Sequence, residues 1–313
     1  MKVSKFYHRL LCVYAAAALL AGCGGGQPPI GALGAAPWML SEAKSDSQLL
    51  YVTDAQSNQV SVVKLPQGKL VGTLDGFDGP SGECTDSGGD VFIIDTGAAQ
   101  IWEYGHGAKS PKNILDDSTY YPIGCSVDRK TGNLAVTNEI GDSGPGNLAV
   151  YAKAAGKPKF YSGAGITQFG FCAYDGVGNL YTGGGNSGDD DLFAELPKGQ
   201  KKLAALSLNA NVSGLAPMRW DGQDLAILDG VPGSLIYRFK MSGRTGTAVG
   251  LLRLRGAAEI GDFTIRDGAI YAPLYNKSEV DRYAYPGGGK ILQTFFGFGD
   301  PGGTAVSTIG SKD

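Results

Sequence analysis

One unit recurs along this chain, and its period leaves few folds open. A glycine ahead of a strand-like stretch appears at Gly82, Gly124, Gly170, Gly214, Gly261 and Gly302, with gaps of 42, 46, 44, 47 and 41 residues. Periods of that size belong to arrays of one supersecondary unit, and this one suits a four-stranded antiparallel sheet. A second landmark has the same count: a hairpin glycine followed by a basic residue, as in Gly68-Lys69, Gly107 with Lys109, Gly156-Lys157, Gly199 with Lys201, Gly243-Arg244 and Gly289-Lys290. Glycine supplies the positive φ of such turns, and a cation on an outer strand discourages edge pairing with another molecule. The composition agrees, since 50 glycines and 15 tyrosines against 18% charged residues suit many short strands joined by tight turns.

Between the landmarks lie paired apolar runs, such as 90–95 followed by 100–104 and 178–181 followed by 191–196, which read as strands. The first unit starts abruptly at Leu49-Leu50-Tyr51-Val52-Thr53-Asp54, matching the second strand of the other copies. Its missing first strand is supplied by the C-terminus, where residues 299–307 resemble residues 79–86. Such an exchange pairs the chain ends and removes an open sheet edge. The expected fold is all-β: a six-bladed β-propeller over residues 48–313, closed by pairing of the C-terminal strand with the first blade.

Residues 79–104 combine Gly-Pro-x-Gly, a short strand, Asp, a glycine-containing turn and an apolar strand ending in Asp, and they resemble NHL-type repeats. The likeness runs from residue 49 to about 310, is degenerate at 217–228 and 263–275, and extends distantly to gluconolactonase-like and TolB-like propellers. It implies the six-bladed fold far more than any activity, because propellers host unrelated functions.

Residues 1–22 read as an export signal: Lys2, Lys5 and Arg9 precede an apolar run, 10–20, too short to span a bilayer comfortably. Leu20-Ala21-Gly22-Cys23 resembles the lipobox of bacterial lipoproteins, which implies diacylglycerol and palmitate on Cys23 and cleavage before it; ordinary secretory cleavage is the alternative. Residues 23–47, rich in Gly, Ala, Pro and Ser, read as a flexible tether. Gly24 and Gly25, with no Asp behind the cysteine, resemble the sorting pattern for the outer membrane of a two-membrane host. Processing removes three of 27 basic residues against 30 acidic ones, leaving a formal charge of −6. That balance argues against nucleic acid as a partner and leaves membrane attachment to the lipid.

His8 and His106 are the only histidines, and His8 leaves with the signal. A lone histidine in a hairpin turn argues against a Ser-His-Asp triad, a multi-histidine zinc site and a two-histidine iron site, and no catalytic residue is assigned. Asp54, Asp95, Asn138 and Asp229 close the second strand in several copies and read as acceptors for N–H groups of their own loops. The alternative gathers such side chains around the axis as calcium ligands. Resemblance to the gluconolactonase-like hydrolases implies one axial divalent ion, for which Glu83, Asn138 and Asp229 are the candidates. Asp189-Asp190-Asp191 reads as an acidic solvated loop, with a cation site as its alternative.

Cys84, Cys125 and Cys172 fall on the first strands of successive units. Cys125 and Cys172 precede Asp128 and Asp175 by three residues, whereas Cys84 precedes Asp86 by two, which turns Cys84 to the opposite strand face. Facing blades then permit a Cys84–Cys125 disulfide in an oxidising compartment, although three separate buried thiols is the preferred reading. Tyr120, Tyr121, Phe169, Phe171 and Trp220 read as wedges between blades, with a ligand mouth as the alternative.

The sequence thus predicts an exported, lipid-anchored monomer that acts as a binding or interaction platform for an envelope protein or small ligand, without cofactor or chemistry of its own. The competing reading is a divalent-metal-dependent lactonase or esterase. A third, an assembly factor for outer-membrane proteins, resembles propeller lipoproteins whose best-known member has more blades than are counted here.

Overall fold

The computed structural model describes residues 37–44, 47–117, 120–229, 234–257 and 259–309. The signal, Cys23, Gly24 and Gly25 lie outside the described residues.

Leu49–Asp54 is buried along its whole length and pairs on one side with Gln59–Lys64. On its other side runs the antiparallel C-terminal strand Pro301–Ser307, with Leu50 opposite Val306 and Val52 opposite Thr304. Lys69–Leu74 follows outward, and Trp38–Met39 adds a fifth strand at the outer edge. Two four-stranded antiparallel sheets come next. One contains Pro80–Thr85, Val91–Asp95, Gln100–Tyr104 and Asn113–Asp116, and the other Tyr120–Val127, Leu134–Gly141, Gly144–Tyr151 and Lys159–Tyr161. Residues 168–208 and 218–253 form two further meanders, joined into one eight-stranded sheet by parallel pairing of Ser207 with Thr245 and Leu208 with Gly246. Residues 264–296 form the last four-stranded sheet.

The core lies between sheets. In Val91–Asp95, Val91 and Ile93 pack with Tyr51, Val62 and Leu74 of the preceding sheet, while Phe92 and Ile94 pack with Cys125, Val127 and Val136 of the next. This is the two-residue alternation of a strand buried on both faces, and it explains why the second strands read as continuous apolar runs. Among the described residues six apolar clusters lie between consecutive units, five joining two sheets and one packing the two meanders of the eight-stranded sheet on each other. One of them brings the last sheet, through Tyr271, Val280 and Phe295, against Leu50, Val52 and Val306 of the first.

Six inner strands stand at sheet ends, two of them at opposite ends of the eight-stranded sheet: Pro80–Thr85, Tyr120–Val127, Gln168–Tyr174, Met218–Trp220, Thr264–Arg266 and Pro301–Ser307. The recurrent glycines sit where these strands touch. A Cβ on Gly82 would stand 2.4 Å from the Ile123 carbonyl oxygen, and one on Gly261 2.7 Å from that of Gly302; on the C-terminal strand the close approach falls one residue past the landmark, at Gly303, whose Cβ would stand 2.3 Å from the Ser81 carbonyl oxygen. The glycine landmark therefore reflects the close approach of neighbouring backbones, for which only a residue without a side chain leaves room.

Candidate functional site

All six inner strands contribute to one cavity of about 560 Å³, at the end where each strand turns into the next. Arg219 stands at the register position occupied by Cys84, Ser126 and Ala173 in three other inner strands. Its guanidinium donates to the Asp262 carboxylate at 2.5 Å, to the Met218 carbonyl at 2.9 Å and to the Glu83 carbonyl at 3.4 Å, and it lies 6.0 Å from the Phe263 ring centre. Arg219 thus links three inner segments that are far apart in sequence.

Asp262 is buried and also accepts the Phe263 N–H at 2.7 Å. Burial pushes its carboxyl up to about 6, against the pull of Arg219 and that N–H. Glu83 is 1% exposed and lines the cavity, and its carboxyl has no side-chain hydrogen-bond partner among the described residues, only the Ala305 N–H. Burial, then the neighbouring Asp262 charge, raises Glu83 well above the usual carboxylate range; the Ala305 N–H and Arg219 oppose this without reversing it. Trp220 also lines the cavity, stacks 6.4 Å from Tyr181, and keeps a buried indole N–H with no acceptor.

In the cavity wall, Cys84 and Cys125 form a disulfide with Cα atoms 5.7 Å apart. Two of the three cysteines are therefore not separate core thiols, because the face offset turns Cys84 toward the sheet from which Cys125 faces back. Cys172 is free and buried, its thiol pushed up to about 12 by burial. The rim carboxylates are taken up by their own turns. Asp175 Oδ1 accepts from the Val177, Gly178 and Asn179 N–H groups, and Asp221 Oδ1 from those of Gln223 and Asp224. Asp221 Oδ2 accepts from Arg238 Nε at 2.9 Å and from the Tyr285 hydroxyl.

The proposed axial trio is not gathered here: Glu83 lines the cavity, while Asn138 and Asp229 do not. Asn138 donates its amide to Asn147 at 3.0 Å, and Asp229 ends the strand Leu225–Asp229 away from the turn that follows Arg219's strand. Among the described residues no three His, Cys, Asp or Glu side chains are grouped to hold a metal. Asp54 does accept the N–H of Ser57 in its own loop, but it also accepts those of Gly299 and Asp300, and Asp95 accepts that of Asp78. These aspartates fix the segment entering the inner strand of the same sheet as well as the local turn, a long-range role that loop chemistry alone does not reveal. Asp189, Asp190 and Asp191 are exposed in a loop, where Asp191 accepts the Gly214 N–H at 2.6 Å. His106 Nδ1 lies 2.7 Å from Ser307 Oγ, docking its hairpin on the C-terminal strand.

Of the aromatics, Phe169 and Phe171 are buried wedges between sheets, and Trp220 lines the cavity. Tyr120 packs 5.1 Å from Phe160 beside an open depression at the hairpin 141–147, and Tyr121 is half exposed. Sequence reasoning missed Arg219 and Asp262. The available signal was a charge within the apolar inner strand Met-Arg-Trp and another directly after a landmark glycine.

No protein-family profile and no curated protein matches the chain. A chain of a nidogen/laminin complex, itself a β-propeller, superposes with a TM-score of 0.65 at 15% identity, over 83% of this chain and 98% of that one. A protein of unknown function from Bacteroides caccae superposes with a TM-score of 0.61 at 10% identity, over 83% and 99%. These likenesses show the fold alone: an all-β protein of β-propeller type.

Proposed function

We propose that this chain is an exported lipoprotein whose six-bladed propeller, closed by its C-terminal strand, serves as a binding platform at the cell envelope, held at the outer membrane through lipid on Cys23. The observation that carries the binding role is the convergence of six inner strands on one cavity of about 560 Å³. The blade count is supported by the six apolar clusters between consecutive units, and the closure by the pairing of Leu50 with Val306. The anchor rests on the Leu20-Ala21-Gly22-Cys23 sequence.

Cys23→Ala tests the anchor: the variant is expected to lose palmitate labelling and move from the membrane to the soluble fraction. Unchanged membrane association would sink the lipoprotein reading. The cavity's own geometry argues against the metal-dependent hydrolase, because the Arg219 guanidinium already occupies Asp262 beside Glu83. A calcium titration by calorimetry is expected to give no saturable heat; saturable binding with a raised melting temperature would bring that reading forward.

A further inference from the structure

We infer that the cavity end of the sheet 120–161 and of the neighbouring meander 168–208 docks a linear polyanion, a non-protein polymer carrying phosphate or carboxylate groups, on a face of exposed lysines. This deepens the binding-platform reading and rests on it.

Charge is divided between the two ends of these units. Leu134 pairs with Val127 and with Tyr151, and Leu180 with Tyr174 and with Leu196, so the turns 128–133 and 175–179 and the hairpins 152–158 and 197–203 lie at one end. It is the end of the cavity, which Asp128, Lys130 and Asp175 line. Lys130, Lys153, Lys157, Lys198, Lys201 and Lys202 are exposed there, and among the described residues no ion pair holds any of them. The two units meet at this face, since a Cβ on Gly178 would stand 3.4 Å from both Asp128 Oδ2 and Lys198 Cδ. Asp128 and Asp175 are the only carboxylates in these four segments. Asp128 is buried and accepts from the Lys130 N–H at 3.0 Å and the Thr131 hydroxyl at 2.6 Å, and Asp175 accepts from its own turn. At the other end the same units expose Asp142, Asp189, Asp190 and Asp191, and segments 138–147, 162–168, 184–192 and 209–217 contain no Lys or Arg. The net negative charge of the chain therefore conceals a cationic face.

Three features select the partner. Six cations spread over separate turns and hairpins make no single pocket, so a small anion meets one or two of them, whereas a chain of anions meets several at once and releases counterions at each. Lysine is depleted at the centres of protein interfaces, where aromatic anchors dominate, and Val177 is the one large apolar side chain exposed in these four segments. The tether, finally, joins at the opposite end. Trp38 pairs with Thr73 and Met39 with Gly72, toward the end of Lys69–Leu74 away from its hairpin, so the lysines face away from the anchored side and toward a polymer in the aqueous space.

The test titrates the mature chain, solubilised in non-ionic detergent, with inorganic polyphosphate, polygalacturonate and polyglutamate, and with monomeric phosphate and galacturonate. Saturable heat is expected from polyphosphate or polygalacturonate, and the tighter of the two names the anionic group. Its affinity should fall about 20- to 100-fold between about 50 and 200 mM salt, as counterion release at roughly three to four contacts requires. Lys130→Glu combined with Lys201→Glu should weaken binding about tenfold or more. Arg253→Glu combined with Arg255→Glu makes an equal charge change at the opposite end, on exposed residues, and should stay within about 3-fold of the parent. Melting curves that match the parent establish that both variants fold. No saturable heat from either polymer at about 50 mM salt would overturn the inference. So would an affinity unmoved by salt, equal losses in the two variants, or saturable binding of either monomer below about 10 mM. Tighter binding of polyglutamate would overturn it in favour of an acidic protein partner. A chain that requires Cys23 for membrane attachment yet binds neither polymer would retain its anchor reading and lose this one.

Discussion

At the scale of single residues, Glu83 and Arg219 occupy the same cavity base with opposite consequences for stability. Glu83 is a buried carboxyl with no side-chain partner and only the Ala305 N–H to satisfy it, and under-satisfying such a group costs about 1–3 kcal/mol. Glu83→Met, similar in volume and apolar, is expected to raise unfolding stability by about 1–2 kcal/mol in urea titrations. Asp262→Ala has the contrary outcome. It leaves the 15%-exposed Arg219 guanidinium with neither a hydrogen-bond acceptor nor a counter-charge, and a loss of about 3 kcal/mol is expected. Equal effects of the two substitutions would show that the cluster does not act as an ion pair beside an under-satisfied carboxyl.

At the scale of elements, two devices tie inner strands together. The Cys84–Cys125 disulfide closes a span of 41 residues between neighbouring strands, and the chain-entropy argument assigns it about 4 kcal/mol. Cys84→Ser combined with Cys125→Ser is expected to lower stability by about 2–4 kcal/mol, and reduction of the parent should reproduce the loss. The second device is Pro301–Ser307, which covers Leu50 and Val52 and receives His106 at Ser307. Deleting residues 299–313 should abolish cooperative unfolding followed by circular dichroism, since it strips one partner from a fully buried strand. A truncated chain that still melts in one sharp transition would show the first sheet to be stable without its C-terminal strand.

At the scale of the whole molecule, buried carboxyls set the pH response. Burial raises Asp95, Asp117 and Asp262 to about 6 in the folded chain, from an ordinary value of 3.8. A raised carboxyl means that the folded state binds its proton more tightly than the unfolded one. Its contribution is therefore fully present below about pH 4 and lost as the pH rises through about 6. Asp221 responds oppositely. Although burial opposes it, hydrogen bonds from Tyr285, two backbone N–H groups and Arg238 lower its carboxyl, so its contribution is lost as the pH falls below 3.8. The melting temperature should accordingly peak near pH 4–5 and fall toward pH 7, as scanning calorimetry across that range can check. A flat profile from pH 4 to 7 would mean that these carboxyls titrate as if exposed.

The sequence by itself determined the repeat, the all-β class and the permuted first unit. Strand alternation and hairpin glycines are local properties, and their period survives even where residues 217–228 lose the pattern. It also identified Cys84 and Cys125 as facing positions, because a two-residue period converts an offset of one into a change of face. The base of the cavity was decided only by the tertiary structure. Glu83, Arg219 and Asp262 lie on three inner segments, and only the packing of all the sheets brings them together and excludes water from them. Burial, ion pairing and the upward shift of a carboxyl depend on what surrounds a side chain in space, and the order of residues along the chain does not contain that information.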